Sequence, residues 1–486
     1  MGKRSIRLCL LRTTLSLLAV LLISGIMLAE ENDHWATGVL EDLKQFGLYT
    51  DFSSSELNPD APMSGAQFAN ALSRVLGFNQ DDRRLYITDD FPFAEDSPGL
   101  QLALRFYHIY LDEEGYLLWD AAITRQEAFA ILAELLGLTP NPARETRFSD
   151  EGLISPWARD AVLSLVDARY AAGWDGALHP RNALTFAQFA ATLQRIFPTV
   201  IDNELDLEGG ILLGNALIRN GGASLSNAIV SGAIFINEGI AGGSVALTNV
   251  VAAQGITITN CGEAEVILTG VRSAQLMIRE TWYAGTIPLL LDSSDCRFEE
   301  IAIAGNVILA GNLETVQLRQ GAAVTIAPGA GITTIYLAPD ANAQYLTVSP
   351  GGYLGSLDVA FGSSLDRVHV AHGAAIEQIL LQGYVESLSL EGRAASISIL
   401  ADAGSNLLIL CEHRDGTELW LEGQVTSLIT ARETNISGNG VLRNLEAVAL
   451  GVQVTESIFS SIDQLLLAEG IAITVGDTVY AEDMTP

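Results

Sequence analysis

From residue 201 onward the chain repeats one short motif, two aliphatic residues flanking a variable one, at nearly constant intervals. Val324, Ile335, Leu346, Leu357, Val368 and Ile379 each open such a triplet, at a uniform spacing of 11. Further starts follow at Leu388, Ile397, Leu408 and Leu419, at spacings of 9, 9, 11 and 11. Upstream, Ile234, Val245, Ile256, Val266 and Leu276 are spaced 11, 11, 10 and 10. Alternation inside a triplet is the period of a strand, and Gly, Asn or Asp between triplets marks a turn. A repeat this short cannot hold a pair of helices, and strands this brief cannot build a large open sheet. The pattern predicts a right-handed parallel β-helix or β-solenoid over residues 201–465, with 466–486 as a C-terminal tail. A coil of two triplets, about 20–22 residues, and a coil of three both fit a repeat of this kind. The competing arrangement is a set of antiparallel β-sandwich domains.

Residues 30–200 carry a different pattern, in which glycine is about half as frequent as in the stretch that follows. Three strings here have the form of a capping box: Ser64-Gly65-Ala66-Gln67, Thr124-Arg125-Gln126-Glu127 and Thr185-Phe186-Ala187-Gln188. In such a box the Ser or Thr oxygen accepts from the third backbone N–H while the Glu or Gln reaches back to the first residue. The boxes start at Ser64, Thr124 and Thr185, a nearly constant interval, and each precedes an apolar stripe at helical spacing, such as Phe129, Leu132, Leu135 and Leu136. An earlier helix opens at Trp35-Ala36 and another at Trp157-Ala158, at nearly the same distance ahead of their boxes. The middle unit lacks that tryptophan. The reading is an all-α triple helix–loop–helix repeat, with units at 30–86, 87–142 and 143–200, each too small to bury its own stripe.

The combination resembles the S-layer homology (SLH) domain, which occurs in threes on bacterial surface proteins. The resemblance rests on Asp33-His34-Trp35-Ala36, on Phe148-Ser149-Asp150 and above all on Ile123-Thr124-Arg125-Gln126-Glu127. It implies a pseudo-threefold helical bundle whose grooves hold a secondary cell-wall polymer or a peptidoglycan-linked acidic glycan. It also implies Arg125, with Thr124 and Glu127 of the same motif, as the glycan contact, and Trp35 and Trp157 as sugar-facing aromatics. The residue types by themselves allow another role: a box caps a helix, and a tryptophan beside an apolar stripe can anchor a core. This chain departs from the family motif at Gly65 and Phe186, which stand where arginine is expected. Gly-rich strand repeats similar to residues 201–465 follow SLH domains in other surface proteins.

Charge narrows the choice of partner. The chain has 486 residues, 58 acids against 26 bases, and a net charge of −32, which excludes nucleic acid and anionic membrane surfaces as partners. Residues 1–29 hold four bases and no acid, ahead of an apolar run from Leu15 to Leu28. That is the pattern of a secretory signal peptide, and the run is too short to span a bilayer. No membrane contact is expected after its removal. Three cysteines follow, Cys261, Cys296 and Cys411, without metal-ligand spacing; a Cys261–Cys296 bridge is compatible with the count.

Catalytic chemistry finds little to work with. The densest acids are Asp292, Asp295, Glu299 and Glu300, but neighbours on a strand point to opposite faces. Arg367 and His369 share one strand face. Asp402 and the run from Cys411 to Asp415 read as turn residues. There is no phosphate loop or nucleotide fingerprint, no cofactor is expected, and there is no Asp-rich calcium loop. The expectation is a non-enzymatic, secreted, wall-bound surface protein whose solenoid is a projecting or layer-forming region with scope for self-association. The alternatives are a wall-anchored polysaccharide-degrading enzyme with a groove on the coil face, and an adhesin.

Overall fold

The computed structural model describes residues 34–42, 58–76, 120–140, 147–237, 243–259, 264–279, 287–292, 296–400, 406–409 and 416–481. The segment 1–29, residues 87–119 of the middle unit, Asp295, Asp402, Cys261 and Cys411 lie outside them.

The β region is a solenoid with two strands per coil. Successive triplets fall on opposite sheets, and each strand pairs in parallel with the next but one. Ile335 stacks on Leu357 and Leu357 on Ile379 in one sheet; Val324 stacks on Leu346 and Leu346 on Val368 in the other. All six are fully buried. Parallel pairing throughout this stack excludes the antiparallel sandwich; the sole antiparallel ladder joins Ile473–Val475 to Thr478–Tyr480 among the described residues. The ladders begin at Thr199–Ile201 and reach Ile473–Val475.

A typical strand bends once. In Tyr353–Val359 the inward residues are Leu354, Leu357 and Val359, so two outward residues interrupt the alternation. The bend gives each strand a third core residue that a strict triplet lacks. Coils close through tight turns, as where Gly352 N–H donates to Ser349 O at 2.8 Å around Pro350-Gly351. Gly351 has φ +78°, the left-handed value that the third residue of a type II turn requires. Asp340 fills the equivalent place one strand earlier with φ +61°.

Among the described residues the α-helices of the N-terminal part are α1 (Thr37–Asp42), α2 (Gly65–Val75), α3 (Arg125–Leu136), α4 (Arg159–Asp167) and α5 (Phe186–Ile196). Helices α2, α3 and α5 each start in a complete capping box. A box satisfies only part of what a helix start leaves open, and the neighbouring box segments supply more. Gly65 N–H donates to Ala121 O, Arg125 N–H to Asn182 O, and Phe186 N–H to Ala61 O. Just ahead of the boxes a second ring closes: Met63 N–H to Leu184 O, Leu184 N–H to Ile123 O, and Ile123 N–H to Met63 O, at 2.8–2.9 Å. The three box segments are thus tied cyclically around Phe68, Phe129 and Phe189, all buried.

This helical module closes the N-terminal end of the solenoid. Leu217 and Phe235 from the first coils join the helical core, with Phe197 packed edge-on to Phe235 at 5.4 Å. Asn215, buried, donates to Tyr170 Oη and Ile196 O at 2.7 Å. Two solenoid arginines reach helix C-termini, where carbonyls keep spare acceptor capacity and the helix dipole favours a cation. Arg219 Nη1 donates to Arg74 O of α2 at 3.1 Å while its other face grips Asp202. Arg279 donates to Leu135 O and Glu134 O of α3. A coil stack needs a lid over its first core layer, and the helices provide it.

Candidate functional site

A groove of about 360 Å³ opens on the helical module, within the size range of small-molecule sites. Its lining includes Trp35, Arg125, Trp174, Gln188, Thr192 and Arg195. Gln188, Thr192 and Arg195 lie at helical spacing on one face of α5, and Arg125 is the first residue of α3. Trp174 comes from the loop between α4 and α5. A tight turn through Asp175-Gly176, both at positive φ, returns the chain so that Trp174 and Ala177 exchange two backbone hydrogen bonds of 3.0 Å. That is the geometry the Asp-Gly pair favours in a two-residue hairpin. Asp150 fixes the same loop, its two oxygens accepting from Leu178 N–H and His179 N–H at 2.7 Å. Trp174 stacks on His179 at 3.9 Å.

Arg125 forms the floor. It is 2% exposed, donating from Nε to Leu178 O at 3.0 Å, from Nη2 to Ala172 O at 2.8 Å and from Nη1 to Gln188 Oε1 at 3.1 Å. Its guanidinium lies 4.8 Å from the ring centres of both Phe129 and Trp174. Burial, and next the nearby Arg195 charge, lower its pKa to about 10, with Asp150 opposing them. It therefore stays cationic at neutral pH, at a cost that an incoming anion would relieve. Arg195 is exposed at the rim. Trp35, 61% exposed, supplies an open indole face; the core place beside it goes to Ala36, fully buried.

The other residues that the sequence resemblance singled out sit elsewhere. Thr124 and Glu127 are engaged in the capping box of α3, where Glu127 Oε2 accepts from Thr124 N–H at 2.7 Å, and neither lines the groove. Trp157 is 53% exposed and also outside the groove lining, with Ala158 taking the core position. Gly65 and Phe186, which the resemblance sets against an arginine, are both buried. Sequence reasoning missed Trp174, Gln188, Thr192 and Arg195. The Asp-Gly turn after Trp174 and the spacing of 188, 192 and 195 were the signals that could have found them.

With this geometry in view, comparison with known families bears on one part of the molecule. Residues 147–190 match the S-layer homology domain family. No curated protein matches the chain. The S-layer homology segment begins at the Asp150 loop, contains α4 and the Trp174 hairpin, and ends inside α5. It supplies Trp174 and Gln188 of the groove, while Arg125 and Trp35 come from outside it. S-layer homology domains bind cell-wall polymers, and the match places this chain among cell-surface, wall-associated proteins.

On the solenoid, Arg367 and His369 point outward among Tyr345, Ser387, Thr347 and Ser389. Glu300 is held by Arg319 at 2.6 Å and by Gln275 at 2.8 Å. Among the described residues no three His, Cys, Asp or Glu side chains gather as metal ligands.

Proposed function

We propose that the helical module is a three-unit S-layer homology bundle that binds an anionic cell-wall glycan in the Arg125 groove. The solenoid then projects from the wall as a non-enzymatic structural arm of a secreted protein. The observation that carries this reading is the gathering of two guanidinium groups, Arg125 and Arg195, and the exposed indole of Trp35 in one groove. Arg195 stands at the rim, where a carboxylate can be gripped bidentately. Arg125 adds charge from a poorly solvated floor, where an anion is worth more than at the surface. Trp35 offers a flat apolar face suited to the C–H side of a sugar ring, and Trp174, packed between neighbours, stiffens the groove wall. The cyclic hydrogen bonds among the three box segments support the pseudo-threefold bundle. Gly65 and Phe186 limit the basic grooves of this kind to one among the described residues, so affinity rests on one site without multivalent gain.

The test is sedimentation of the full chain with purified walls, before and after chemical removal of the secondary polymer. Co-sedimentation that disappears with the polymer supports the reading. Undiminished sedimentation after removal, or none with intact walls, defeats it.

A further inference from the structure

One step of the solenoid departs from the rest. Strands Arg297–Ile303 and Asn312–Leu318 are each seven residues long and adjacent in one sheet. The first pairs with Arg272–Ile278 along its length, and the second does the same with Gly331–Leu337. Between the two, register is confined to Ala302↔Gln317 and Ile303↔Leu318. From that hinge toward their N-terminal ends the strands part, and a cleft of about 510 Å³ lies between the coils. Its walls include Phe298, Glu299, Leu313, Glu314, Thr315 and Tyr353. The cleft reaches the core. Phe298 and Leu313 occupy the inward position whose equivalents Ile332, Leu354 and Ile376 are fully buried, yet both are only half-buried.

A parallel strand presents N–H and C=O groups of alternate residues to each neighbour. Arg297 N–H donates to Val271 O on the paired side, so alternate residues of 298–301 and 312–316 offer two facing rows of backbone donors and acceptors over an apolar floor. Such rows are satisfied by water or by a partner backbone. A sugar or an acyl chain can cover the floor but cannot serve two rows set at strand spacing; an added strand can. Charge narrows the occupant further. The lips carry the carboxylates of Glu299 and Glu314, both exposed, against one guanidinium, Arg297, which favours cationic flanks.

We infer that this cleft receives an extended peptide segment of another protein, seated as an added strand. An apolar side chain of that segment enters between Phe298 and Leu313, and basic residues flank it. The site is separate from the glycan groove and does not depend on it.

The test titrates the full chain with a fluorescein-labelled heptapeptide of alternating valine and threonine bearing a lysine at each end. Hydrogen exchange is mapped in parallel. The expected result is saturable binding in the micromolar range, with exchange slowed about tenfold at alternate amides within 298–301 and 312–316. Methylating alternate peptide amides should weaken binding about tenfold, because it removes backbone donors. The exposed pair Glu299→Lys and Glu314→Lys should weaken the lysine-ended peptide and tighten a glutamate-ended one, with an unchanged melting curve reporting an intact fold. No binding at millimolar peptide, binding without protection of those amides, or equal affinity for the methylated peptide would each overturn the inference. So would laurate or a chito-oligosaccharide protecting the cleft where the peptide does not.

Discussion

Replacing Arg125 by methionine sets two large effects against each other, and pH separates them. The parent keeps a cation on the groove floor whose pKa is held down at about 10, so charging it in the folded state carries a cost. The same side chain donates three hydrogen bonds to Leu178 O, Ala172 O and Gln188. Each is worth about 1.5–3 kcal/mol as a bond from a charged donor. Methionine removes the cost and the bonds together, and water entering the open groove can reach the abandoned carbonyls. A net loss of about 1–3 kcal/mol at pH 8 is expected, measured by urea unfolding of the full chain. The sign of the pH term is fixed. Because the folded pKa is lower than the unfolded one, the unfolded chain holds more protons above pH 10, and the Arg125 contribution to stability rises with pH there. At pH 11, one unit above the folded pKa, the parent should have gained about 1.4 kcal/mol relative to the methionine variant. Tyrosine ionisation and the general charge of the chain cancel in that difference. A difference that stays flat from pH 8 to pH 11 refutes the argument that Arg125 is a desolvated cation.

Three further outcomes follow from the fold. Arg279→Ala removes two donors from the C-terminal carbonyls of α3 and should destabilise the module–solenoid junction by about 2–3 kcal/mol, seen as faster limited proteolysis between the two parts. Leu357→Ala empties a fully buried ladder position between Ile335 and Ile379. It should cost about 2–5 kcal/mol, with hydrogen exchange accelerated first in Gly331–Leu337 and Ala375–Leu381. Gly351→Ala meets nothing closer than 3.8 Å, yet its φ of +78° imposes backbone strain; a loss of about 1–2 kcal/mol in urea melts is expected.

The sequence exposed the solenoid because its inward positions tolerate little besides aliphatic side chains, so Val324, Ile335, Leu346 and their successors kept time along the chain. It did not show that consecutive triplets belong to opposite sheets, because strand pairing is a long-range property carried by no single residue. The bend in each strand was hidden for a similar reason. Leu354 precedes Leu357 by three positions, a spacing that breaks period two and resembles a helical pair. The capping boxes of α2, α3 and α5 were readable because their chemistry is local. The tryptophans were harder, since apolar stripes mark cores but do not say which member of Trp35-Ala36 turns inward; the small Ala36 does. Arg125 was legible as a motif residue, whereas its partners at 172, 178 and 188 lie far along the chain from it. Arg195 looks in sequence like any charge on a helix surface. The cleft at Glu299 and Glu314 had no sequence signal beyond a cluster of acids.

The Arg125 groove is proposed to bind an anionic wall glycan. The most direct test is calorimetric titration of the full chain and of Arg195→Glu, a rim substitution that leaves the core untouched, with purified secondary polymer. The same polymer with its carboxylates reduced to alcohols serves as the comparison. Saturable binding by the parent is expected, weakened about tenfold or more both by Arg195→Glu and by reduction of the carboxylates. Equal affinity across all three titrations would contradict it.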